Sequence, residues 1–158
     1  MMYGRRPLSR LEAAIYAAVA VALIGVALDR MLRVLAAAER DLVALTVANT
    51  NSALRTRLAV ASLLDRPLPP DWRSRNPFET AGVEVRRFAG ERRGARAADL
   101  ERGAWAYDSD ARELVYRPRY PIGLSIAGGG ELLRFRLQSG PRPGDVGLVA
   151  ATSYVWEP

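Results

Sequence analysis

The sequence predicts an α+β chain: one long N-terminal helix, membrane-spanning in its first half, packed on a small antiparallel β-sheet. Three observations predict it. Residues 13–28 form a run of 16 residues without a charge. No proline falls between Leu8 and Arg66, and apolar residues recur at helical spacing well past that run. From Asp71 onward the pattern changes to short alternating segments separated by turn-forming residues.

Residues 1–7 are a short basic segment that includes Arg5 and Arg6. The long helix is expected over residues 8–66, with the membrane-spanning part at about 11–30. At ~1.5 Å per residue the uncharged run reaches roughly 24 Å, a little short of a ~30 Å hydrocarbon core. Leu8, Leu11 and the stems of the flanking arginines extend that reach by snorkelling. Arg5, Arg6 and Arg10 precede the span, so the N-terminus is expected in the cytoplasm and the C-terminal part on the other side. A cleaved secretory signal fits poorly, because Asp29, Arg30 and Arg33 follow the apolar run where small residues are needed.

Beyond the span, Met31, Leu35, Ala38, Leu42 and Leu45 recur at spacings of four, three, four and three, and Val47, Thr50, Leu54, Leu58 and Ala61 continue them. This is an amphipathic stripe with one covered face. Pro67, Pro69 and Pro70 then stop the helix. A helix from Ser9 to Asp65 has 57 residues and a length of about 85 Å. Its far half needs a cover. A dimeric coiled coil is one candidate, but Asn49, Asn51 and Ser52 interrupt the stripe, and cover by the chain's own head is preferred.

The head is expected over residues 71–158. VEVRRF at 83–88 alternates in part. Trp105 and Tyr107, then Leu114 and Tyr116, flank the turn residues 108–111 and read as a hairpin. Leu133, Phe135 and Leu137 alternate with Arg134 and Arg136, as in a half-buried strand. Residues 139–145 are a turn cluster, and 147–156 read as the closing strand. The sheet is expected to have one apolar face, covered by the helix. The aromatics Trp105, Tyr107, Tyr116, Phe135, Tyr154 and Trp156 are expected in that core.

Composition removes most catalytic classes. The chain has 158 residues with no cysteine and no histidine, and all 23 of its basic residues are arginine. Disulfides, thiolate nucleophiles, histidine bases, histidine metal ligands and Schiff-base lysines are therefore excluded. The chain is expected to be non-enzymatic and to carry no cofactor. The net charge of +6 is read as a solvated basic surface. Arg86, Arg87, Arg92, Arg93, Arg96 and Arg102 could contact phosphates, but nucleic acid is not expected as a partner.

The segment PLSRLEAAIYAAVAVAL resembles the prepilin N-terminus, in which a basic leader precedes a short motif ending in Glu and then an apolar run. NPFE at 76–79 and GAWAYDSDARELVYRPR at 103–119 look like a subset of minor pilin-like proteins of mannose-sensitive-haemagglutinin-type pili and type II secretion systems. The order of elements resembles the type IV pilin architecture. The resemblance implies a minor pilin or pseudopilin in the bacterial inner membrane, with a periplasmic head and with membrane lipid and other pilin-like or secretion-apparatus subunits as partners. Processing would fall between Pro7 and Leu8, placing Glu12 at the family's position for its glutamate. The family's peptidase cuts after glycine, where Pro7 stands here, and the family's helix-breaking proline and cysteine pair are absent. The alternative is an unprocessed bitopic inner-membrane accessory protein for pilus or secretion-system assembly.

Two carboxylate sets carry open alternatives. By the resemblance, Glu12 neutralises the N-terminal amine of a neighbouring subunit; by local sequence, Ser9 and Glu12 form a capping box. Asp108, Asp110 and Glu113 fall within six residues and could bind calcium, as some pseudopilin heads do. The preferred reading of that cluster is a hairpin turn with solvated carboxylates and no metal.

Overall fold

The computed structural model describes residues 9–66, 68–140 and 145–157. The leader-like segment 1–7 and the processing candidates Pro7 and Leu8 lie outside the described residues, as does most of the turn cluster at 139–145.

Helix α1 runs from Arg10–Leu63, 54 residues, which is about 81 Å. Ser9 caps it. The Glu12 N–H donates to Ser9 Oγ at 3.2 Å, and the Ser9 N–H donates to Glu12 Oε2 at 2.8 Å, so both free donors at the helix start are satisfied. The helix ends slightly before the expected Asp65. Asp65 takes a left-handed φ of 49°, and the Arg66 N–H reaches back to the Ala61 carbonyl at 2.9 Å, closing the last turn before the prolines. An 18-residue window of the helix has a mean hydropathy of 2.2 and no buried residue. The helix is thus long and apolar enough to cross a membrane.

The head begins with a 3-10 turn at Trp72–Ser74 and a short helix α2, Pro77–Ala81. Asn76 caps α2 through Phe78 N–H, Pro77 opens it, and Gly82 closes it at φ 68°, where a side chain would be strained. Among the described residues seven strands follow: β1 Phe88–Arg92, β2 Ala104–Asp108, β3 Glu113–Arg117, β4 Leu124–Ile126, β5 Leu133–Ser139, β6 Val146–Ala150 and β7 Tyr154–Trp156. The main sheet has the order β1-β2-β3-β5-β6, and β4 pairs with β7 separately.

The expected hairpin is β2–β3, with Trp105 opposite Tyr116 and Tyr107 opposite Leu114. The alternating strand is β5. Three expectations about the strands need correction. The sheet is mixed, because β1 runs parallel to β2. The strand expected at 83–88 starts only at Phe88. The closing strand is broken at residues 151–153 into β6 and β7, which belong to different sheets.

One face of the main sheet carries Trp105, Tyr107, Leu114, Tyr116, Leu133, Phe135 and Leu148, packed with Val43 of α1 and Phe78 of α2. Trp105 is its hub, with ring centroids 5.5 Å from Phe78, 4.7 Å from Tyr116 and 5.7 Å from Phe135. Contrary to expectation the opposite face is covered as well. Ala106 and Val115 lie under Ala95, Leu100 and Leu132. All of β2 is therefore buried, as in a strand covered on both faces.

The covered face of α1 also differs from the expected stripe. Ala36, Glu39, Val43, Thr50 and Leu54 are buried, whereas Met31, Leu42 and Leu45 are exposed. The stripe read from sequence is correct from Val47 to Leu58 and displaced around the helix before that. Leu54, fully buried with Ala81 and Val146, anchors the far end. Leu54→Ala should destabilise the detergent-solubilised chain by about 2–5 kcal/mol. The exposed Leu63→Ala should change it by less than about 0.5 kcal/mol. Urea titration followed by tryptophan fluorescence distinguishes the two.

Candidate functional site

The chemistry of this chain is concentrated where α1 meets the head. Glu39 is buried at 8% exposure. Its Oε1 accepts from the Tyr116 hydroxyl at 2.5 Å and the Arg119 N–H at 2.6 Å, and its Oε2 accepts from the Tyr120 N–H at 2.7 Å. A carboxylate removed from water is costly unless its lone pairs are met by donors, and here they are met by β3 and the turn after it. Burial, then the hydrogen bond to Glu39, pushes the Tyr116 hydroxyl well above its ordinary range. Tyr116 therefore stays protonated and donates to Glu39 at physiological pH.

Three more polar side chains of α1 repeat the theme. Asn51 Oδ1 accepts from the Leu148 N–H at 2.6 Å and its Nδ2 donates to the Leu148 carbonyl at 3.3 Å. β6 is an edge strand, and this pair occupies backbone groups that would otherwise be open to another strand. Arg55 donates to the Val146 carbonyl and stands 3.7 Å from Asp145. Arg57 Nη1 donates to the carbonyls of Glu79 and Thr80 at the end of α2. Asn51, read from sequence as an interruption, is thus one of the joints.

Asp108 is buried at 2% exposure. It accepts from the N–H groups of Gly94, Ala95, Asp110 and Ala111, with Arg134 Nη1 at 3.4 Å. Burial pushes its pKa up, but the hydrogen bonds from Ala111, Gly94, Ala95 and Arg134 together outweigh it and hold the carboxyl below the ordinary value. Arg134 Nη1 also stands 3.3 Å from Glu113 Oε2. The guanidinium therefore takes the position between Asp108 and Glu113 that a cation would need. Asp110 is exposed at the turn, and among the described residues no group of three such side chains is arranged to hold a metal ion.

The other residues singled out by sequence are placed as follows. Glu12 is exposed and engaged in the capping box. Of the basic stretch, Arg86 and Arg87 join Arg119 along a groove against Leu35, Ala38 and Leu42 of α1, with a volume near 360 Å³. Arg102 lines a separate hollow with Arg117, and Arg92 shares another with Arg87. Sequence reasoning missed Glu39. A signal for it existed, since Glu39 continues the spacing of Ala36 and Val43, but an apolar stripe search discards a carboxylate. No family model, no curated protein and no solved structure matches the chain.

Glu39→Ala should weaken the attachment of helix to head by about 3 kcal/mol, because it leaves buried donors unmet. Glu39→Gln should cost less, because its amide oxygen still accepts from Tyr116 and Arg119. Chemical denaturation of both variants checks the order.

The Asp108 contribution has a defined pH window. With its folded pKa below the ordinary 3.8, its stabilisation is complete above that value and is lost as pH falls through the folded pKa. Asp108→Asn should therefore be less stable than the parent at pH 7, and the gap should narrow below pH 3.8. Thermal melts at several pH values measure it.

Proposed function

We propose that this chain is a non-enzymatic, membrane-anchored minor pilin- or pseudopilin-like component of a type IV pilus or type II secretion system. Its N-terminus would be cytoplasmic and its head periplasmic. The observation that carries this reading is the division of labour along α1. The first half is apolar and wholly exposed, as a membrane segment must be in the absence of lipid. The second half is fixed to the head by Glu39, Asn51, Arg55 and Arg57. A head joined through side chains and backbone to a long helical stem moves with its anchor, which suits a subunit that presents a folded surface at a fixed height above a membrane. In this reading membrane lipid and other pilin-like subunits are the partners, and Glu12 meets a neighbour's N-terminal amine.

A second reading, the unprocessed bitopic accessory protein, is favoured by one observation: the Glu12 carboxylate is already engaged by the Ser9 N–H. N-terminal sequencing of the membrane-purified protein separates the two. A chain starting at Leu8 supports assembly after processing, and one starting at Met1 or Met2 supports the accessory protein. Glu12→Ala should abolish incorporation into filaments while membrane fractionation stays unchanged. Normal incorporation of that variant would remove the role assigned to Glu12.

A further inference from the structure

The apolar stripe beside the face that meets the head has its own geometry. Leu35 and Leu42 alternate with Met31, Ala38 and Leu45 at spacings of four and three, the a and d positions of a heptad. The same phase runs back through Val21, Ile24 and Leu28 into the apolar half and forward to Asn49 at an a position. No charged residue occupies an a or d position from Val21 to Asn49, while Asp29, Arg30, Arg33, Arg40 and Asp41 all fall elsewhere. At 100° per residue the seam lies roughly 130° around the helix from the Ala36–Val43–Leu54 face. Met31 is exposed at 59%, Leu42 at 60% and Leu45 at 56%, while Leu35 is half-buried and borders with Ala38 and Leu42 the groove under Arg86, Arg87 and Arg119.

We infer that this seam pairs with the same seam of a second copy in a parallel, in-register coiled coil that starts in the membrane and runs up to Asn49. Three features select a second copy. A strict period of 3.5 is self-complementary, since each a and d residue meets its own counterpart. Two chains anchored by the same apolar half enter the membrane in the same direction, so parallel pairing needs no rearrangement. An Asn at an a position is satisfied by the partner's Asn and fixes register.

Charge agrees with this arrangement. Asp41 occupies a g position, and in a parallel pair it faces the partner's e position next along, Thr46. Thr46 shares a groove with Arg86 and Arg87. The partner's Asp41 is thereby brought to a basic wall, whereas within one chain it has the adjacent Arg40. The pairing does not depend on processing or on filament formation. In a staggered filament unlike-numbered residues of neighbours face one another, whereas the seam places like on like.

The absence of cysteine makes the test direct. Single substitutions Leu35→Cys, Ala38→Cys, Leu42→Cys and Leu45→Cys on the seam, and Arg33→Cys, Arg40→Cys and Ala44→Cys off it, are placed in the full chain in membranes and oxidised with copper phenanthroline. The seam positions should cross-link into dimers several-fold more than the others. Adding Leu42→Glu or Asp41→Arg to Ala38→Cys should lower its cross-linking several-fold, with head folding unchanged by tryptophan fluorescence. Equal cross-linking at all positions, a maximum off the seam, or insensitivity to both added substitutions would overturn the inference. Because the assembly reading is tested by the N-terminal residue, a chain starting at Met1 with seam cross-links would sink that reading alone.

Discussion

The buried carboxylate of Glu39 is the constraint from which the arrangement of this molecule follows. It sits about three turns beyond the end of the uncharged run at Leu28 and accepts hydrogen bonds from Tyr116, Arg119 and Tyr120. A carboxylate in that position is tolerated only if all these donors are in place together. Two of them are backbone groups of the turn after β3, so the contact fixes the path of the chain as well as the packing of a side chain. It sets which face of α1 the sheet meets. With Glu39 turned inward, Ala36 and Val43 follow it, and the larger Leu42 and Leu45 are turned away.

The rest of the junction is consistent with that choice. Asn51 and Arg55 bond the backbone of β6, and Arg57 bonds the end of α2. Each holds main-chain groups, which have fixed positions, rather than mobile side chains. The stem therefore covers one edge of the sheet as well as its aromatic face, and an edge that could recruit another strand is occupied. Cover of the second face comes from the segment carrying Ala95 and Leu100, which is drawn in by Asp108 through the N–H groups of Gly94 and Ala95. Two buried carboxylates thus organise the head from opposite sides, Glu39 on the stem side and Asp108 on the far side.

A helix with two apolar faces also reconciles two requirements that compete in the sequence. A single stripe would have to serve either the chain's own head or another helix. Here the head takes the face of Ala36, Glu39, Val43, Thr50 and Leu54, and Met31, Leu42 and Leu45 stay exposed on another.

The sequence by itself determined the elements whose causes are local. The Ser9–Glu12 capping box, the uninterrupted apolar run, the stop at the prolines, the β2–β3 hairpin and the alternation of β5 depend on neighbours a few residues apart, and all could be read directly. So could the α+β layout. Tertiary structure alone decided the face of α1, the parallel entry of β1, the division of β6 from β7 and the burial of the second sheet face. The physical reason is range. Glu39 finds its donors 77, 80 and 81 residues away, and Asn51 finds Leu148 97 residues away. Periodicity counts apolar side chains along one element, whereas a polar residue belongs to a core only when distant groups meet its hydrogen bonds.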